Sequence, residues 1–137
     1  MNKSNTYTRH IECPPDDVDA VHNLLNSVWV DRPKVTDADR FSFETAIVEL
    51  TSNVIRHGDS GAGIFCSITI NVHDEQIEAT LIDNGKIAQV ELAETTMPDG
   101  LAESGRGIPL IKALVDSFSY NRDGNLNTWQ IARKFTE

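Results

Sequence analysis

The chain has 137 residues, 39% hydrophobic and 24% charged, which is enough for one core and too little for two ordinary domains, so residues 1–137 are read as a single globular domain. Asp and Glu number 21 against 12 Lys and Arg, a formal net charge of −9; this excludes the clustered basic surface that nucleic acid requires and leaves a protein partner open. No apolar run approaches the length of a membrane span, and the first six residues lack the apolar core of a signal peptide, so no membrane contact and a cytoplasmic location are expected.

Thr6 to Cys13 alternates loosely and predicts a strand, closed by Pro14 and Pro15. From Asp16 to Val30 the apolar residues Val18, Val21, Leu25 and Val28 recur at helical spacing, until Asp31-Arg32-Pro33-Lys34 breaks the pattern. Thr36 and Asp39 read as a capping box for the clearest helix, in which Phe43, Ala46, Ile47, Leu50 and Val54 form the apolar stripe and Gly58 takes the C′ position. Ile64 to Val72 and Gln76 to Ile82 alternate as two strands of a hairpin. Lys86 to Ser104 has no sustained period, which in a small domain marks a functional or mobile stretch. A helix is predicted from about Ile108 to Asp116, then a closing hairpin of Phe118 to Arg122 and Leu126 to Phe135 around Asp123-Gly124. The order implies an α+β two-layer sandwich: one mixed, mainly antiparallel sheet with helices on one face. Cys13 and Cys66 lie in separate apolar segments without metal-ligand spacing and read as buried, reduced thiols.

Three short motifs carry chemistry. Glu49 and Asn53 stand four residues apart on the Phe43 helix, one above the other on a flank of the apolar stripe. The Asn amide oxygen suits Mg²⁺, and Glu49 suits a general base. His57, four residues further on, falls on the same side of the helix, where a histidine near a helix C-terminus also has a purely structural explanation. Asp83-Asn84-Gly85 ends a strand; the carboxylate can accept an exocyclic amine of a base, although the same triplet is a common turn. Gly105-Arg106-Gly107-Ile108 precedes Pro109, a residue tolerated in a first helical turn. Free amides there, with Arg106 beside them, would make an anion site for phosphate.

Each motif alone is weak. Taken in order, they resemble the nucleotide site of gyrase-type, histidine-kinase and mismatch-repair ATPases, and the short stand-alone form is most similar to the bacterial anti-sigma-factor serine/threonine kinases. The resemblance runs from about Thr6 to Phe135 and implies the histidine-kinase-like ATPase fold. It also implies ATP and Mg²⁺ as cofactors, with Glu49 as catalytic base and Asn53 as Mg²⁺ ligand. Asp83 then meets the adenine amine with Gly85 beside the base, Gly105 and Gly107 hold phosphate, and Lys86 to Ser104 forms a lid. Two positions depart from the family pattern: Lys86-Ile87-Ala88 lacks a second glycine, and Glu103 stands where some members have arginine. The first is mild; the second bears on lid-to-phosphate or partner contacts, so nucleotide binding is better supported than phosphoryl transfer.

As implied by the family, the chain would bind a sigma factor and phosphorylate a serine of an anti-anti-sigma antagonist; members often work as homodimers. The alternative is a non-catalytic nucleotide-binding module that sequesters a protein partner. A histidine-kinase catalytic domain cut from a receptor ranks third, since no dimerisation helix with a phosphoacceptor His is visible in the sequence.

Overall fold

A computed structural model describes residues 5–59, 61–88 and 103–136. Their elements run β1 (Thr6–Cys13), α1 (Asp19–Asp31), α2 (Asp37–Gly58), β2 (Ile64–Val72), β3 (Gln76–Asp83), α3 (Glu103–Leu114), β4 (Ser117–Asp123) and β5 (Leu126–Lys134). The strands form one sheet in the order β1-β2-β3-β5-β4. The element order is the expected one, but the sheet is not mixed: all four ladders are antiparallel. The cause is connectivity. Three chain reversals separate β1 from β2, and three separate β3 from β5, so each pair meets head to tail. β3 and β4 run the same way, and β5 lies between them.

Alternation sorts each strand. Ile64, Cys66, Ile68, Ile70 and Val72 of β2 and Ile77, Ala79 and Leu81 of β3 are buried on one face. Against it lie Val21, Leu25 and Val28 of α1 and Phe43, Ala46, Ile47, Leu50 and Val54 of α2, so the helices share the core side. Cys13 and Cys66 are free and buried there. Burial first, then the nearby Asp83 and Cys13, pushes the Cys66 thiol up to about 12, which makes it inert at neutral pH.

Helix ends differ from the expected ones for local reasons. Asp16 and Asp17 do not enter α1: Asp16 Oδ2 accepts the Glu12 N–H at 3.0 Å and Asp17 Oδ1 accepts the Asp19 N–H at 2.9 Å, so both build the turn before it. Gly58 is the last residue of α2, with Asp59 as C-cap, and has no positive φ; its value lies in having no side chain, as the site shows.

At the start of α2, Thr36 Oγ1 accepts the Asp39 N–H at 3.2 Å. Asp39 itself is 1% exposed and does more than cap. Its carboxylate accepts Arg133 Nε at 3.0 Å, Thr136 Oγ1 at 2.8 Å, Thr136 N–H at 2.9 Å and Thr36 Oγ1 at 3.1 Å. Burial alone would raise its pKa, but these donors outweigh burial and hold it below the ordinary value. A lowered folded pKa means the contribution is complete above the unfolded value of roughly 3.9 and is lost as pH falls through the folded one. Asp39→Ala is expected to cost about 2–4 kcal/mol at pH 7 in urea unfolding, because it removes the carboxylate that pairs the part-buried Arg133 guanidinium and ties Thr136 to α2. The gap from wild type should narrow in acid below about pH 4; a pH-independent gap would refute the ionic account.

Candidate nucleotide site

The site forms where the end of β3, the start of β5 and the second half of α2 converge. Register brings Asp83 opposite Asn127 on the core face of the sheet. Asp83 is 2% exposed, and its carboxylate is already engaged. Oδ1 accepts the Gly85 N–H and Asn127 Nδ2, each at 2.8 Å, and Oδ2 accepts Trp129 Nε1 at 2.8 Å. Two carboxylate oxygens offer about four acceptor positions, so among the described residues one remains unfilled, on Oδ2.

Asn127 and Trp129 were not legible as site residues. Asn127, 1% exposed, also donates to the Lys86 carbonyl at 2.9 Å, while its oxygen accepts the Tyr120 hydroxyl and Arg122 Nη1. Tyr120 in turn accepts the Ala88 N–H at 2.9 Å, and Arg122 Nη1 donates to the Gly85 carbonyl at 2.8 Å. The β4–β5 hairpin therefore clamps the turn from Asp83 to Ala88. Trp129 stands against Tyr120, ring centres 4.4 Å apart, and is stacked with Phe118.

On α2, Asn53 lies within the apolar stripe and is 8% exposed, whereas Glu49 is half-buried on its edge. Asn53 Oδ1 accepts Arg56 Nη2 at 3.1 Å, and its Nδ2 is buried without a partner among the described residues, as is Thr51 Oγ1. Glu49 has no hydrogen-bond or ion-pair partner among the described residues. It borders a groove of about 420 Å³ shared with Phe41, Thr45 and Val48 of α2 and His22 of α1. The other carboxylate there, Glu44, is held by His22 Nδ1 and by Trp29 Nε1 at 3.0 Å. His57 is exposed on the last turn.

The end of α2 touches the Asp83 turn backbone to backbone. The Lys86 N–H donates to the Gly58 carbonyl at 3.0 Å. A Cβ on Gly85 would lie 2.9 Å from the Gly58 Cα, 2.7 Å from Ile64 Cδ1 and 3.0 Å from Asp83 Oδ1. Gly85 thus makes room for the end of α2. Gly85→Ala is expected to cost about 1–3 kcal/mol, since backbone must shift. Gly58→Ala should cost less, because its severe contact is the tip of Ile64, 2.8 Å away, and alanine favours the helix. Equal denaturation midpoints for the two variants would refute the ranking.

The glycine motif is not a loop ahead of a helix. α3 begins at Glu103 and contains Gly105, Gly107, Ile108 and Pro109. A helix can run through low-propensity glycines where packing outweighs propensity, and α3 packs along α2. Pro109, expected in the first turn, sits in the second, and the carbonyl one turn before it belongs to Gly105. Ile108 is partly buried against the core. The side chain of Arg106 and residues 89–102 of the expected lid lie outside the described residues, and the end of that segment, Glu103 and Ser104, is helical.

The profile of the histidine kinase-like ATPase domain matches residues 11–132, nearly the whole chain. The chain belongs to that family. Two solved structures share the fold of this histidine kinase-like ATPase domain. One is the histidine kinase domain of the blue-light activated histidine kinase from Erythrobacter litoralis EL346, with TM-score 0.58 and 12% identity over 85% of this chain. The other is the Acinetobacter baumannii histidine kinase AdeS, with TM-score 0.50 and 16% identity over 94% of this chain. The chain spans 60% of the first structure and 68% of the second. A comparison with curated protein sequences returns no match. Among the described residues of this ATPase domain, no helix is long and apolar enough to cross a membrane.

Proposed function

We propose that the chain is an ATP-dependent protein serine/threonine kinase of the anti-sigma type, which phosphorylates an anti-anti-sigma antagonist and binds a sigma factor. The observation that carries the reading is Glu49: a half-buried carboxylate with no partner among the described residues, one turn from Asn53 and open to a groove. A carboxylate so placed can accept the proton of an incoming hydroxyl. Asp83 keeps one acceptor position for the adenine amine, and the first amides of α3 suit phosphate.

The donor set fits nucleotide more directly than it fits the cation. Asn53 Nδ2, a buried donor lacking a partner among the described residues, suits a phosphate oxygen. Its Oδ1, the proposed Mg²⁺ ligand, is turned to the Arg56 guanidinium, so cation binding there requires Arg56 to withdraw. Mg²⁺, when bound, supplies charge that offsets the β- and γ-phosphates. Among the described residues no cluster of His, Cys, Asp or Glu could hold a metal by itself; Mg²⁺ commonly takes most of its ligands from phosphate and water.

The same Arg56 contact favours the second reading, a nucleotide-binding module that acts by sequestering its partner. Incubation with γ-labelled ATP and the antagonist separates the two. Label on an antagonist serine supports the kinase. Calorimetric ATP binding with no transfer to any antagonist gives the lead to the module, and no ATP binding sinks both.

A further inference from the structure

Asp83 is surrounded by donors of this chain, and the number of donors it can still accept is a chemical filter. Among the described residues, Oδ1 takes two, from Gly85 and Asn127, and is full; Oδ2 takes one, from Trp129 Nε1 at 2.8 Å, and has room for one more. Trp129 is 5% exposed and braced by Tyr120 and Phe118, so its N–H is held in place rather than free to swing aside.

We propose that Trp129 is a specificity residue of the nucleotide site, leaving Asp83 one acceptor position that suits the single amine of adenine and disfavours guanine, which presents two neighbouring donors. This rests on the reading of Asp83 as the base acceptor. A guanine against this carboxylate pairs one of its ring and exocyclic N–H groups and buries the other unpaired, which costs free energy. Without the indole N–H, Oδ2 has a second open position and both donors are satisfied. Trp129 thus reads the base through Asp83, as a positioning residue.

The test is the ratio of ATP to GTP affinity, measured by calorimetry on wild type and on Trp129→Phe. A merely structural role for the indole changes both affinities together and leaves the ratio alone. The wild type is expected to prefer ATP, and Trp129→Phe to narrow that preference about tenfold, chiefly through tighter GTP binding. Should the phenylalanine variant unfold, benzothienylalanine at position 129, in a Trp29→Phe background, keeps the bicyclic shape and replaces N–H by sulfur; the same narrowing is expected. An unchanged ratio in a folded variant that binds ATP overturns this inference and leaves the proposed function standing. A wild type that binds neither nucleotide overturns both.

Discussion

Asp83→Asn is expected to weaken ATP binding by roughly 100-fold, the loss of a hydrogen bond to a charged acceptor together with a donor newly placed against the amine. Asparagine is a sharper probe than alanine because of what Asp83 holds. Alanine would strand the Trp129, Asn127 and Gly85 donors at once and damage the fold along with the site. Asparagine keeps one oxygen for Gly85 and Asn127 and turns the Oδ2 position into an amide, so of the three donors it strands Trp129 Nε1 alone. Calorimetry gives the affinity, and a denaturation midpoint confirms that the variant is folded. Wild-type affinity in a folded Asp83→Asn protein would remove Asp83 from base recognition.

Glu49→Gln carries the second large effect, a fall of roughly 10²–10⁴-fold in phosphoryl transfer with nucleotide affinity unchanged. The stability cost should be small, since Glu49 is half-buried with no partner among the described residues. That separation of rate from binding and from folding is the signature of a base. If transfer persists at the wild-type rate in single-turnover measurements with labelled ATP, another group accepts the proton. If affinity falls alongside rate, Glu49 contacts nucleotide in the ground state.

The sequence made the element order readable because its strands alternate cleanly and α2 carries a long helical stripe. β1 and β2 have the expected bounds, Thr6–Cys13 and Ile64–Val72. Local periodicity could place Glu49 and Asn53 on one helix, since four residues suffice to define a face. It could not reveal Asn127 or Trp129, whose significance comes from strand register: Asp83 meets Asn127 across 44 positions, and nothing in either segment announces the other. Asp39 shows the same limit. Its capping signal with Thr36 is local, while its bonds to Arg133 and Thr136 span 94 and 97 positions. The start of α3 was misplaced because Pro and Gly are read as boundary marks, and packing against α2 overrides both.

The backbone contact between Gly58 and Gly85 has a thermodynamic consequence. Through it, and through the Lys86-to-Gly58 hydrogen bond, the helix carrying Glu49 and Asn53 is fastened to the turn carrying Asp83. The proposed acceptor for the base and the proposed groups for the phosphates are therefore held at fixed separation without a ligand. Ordering entropy lost on association subtracts from affinity, and this corner has already given up its share during folding. The chain thus meets nucleotide with one wall of the cleft preorganised.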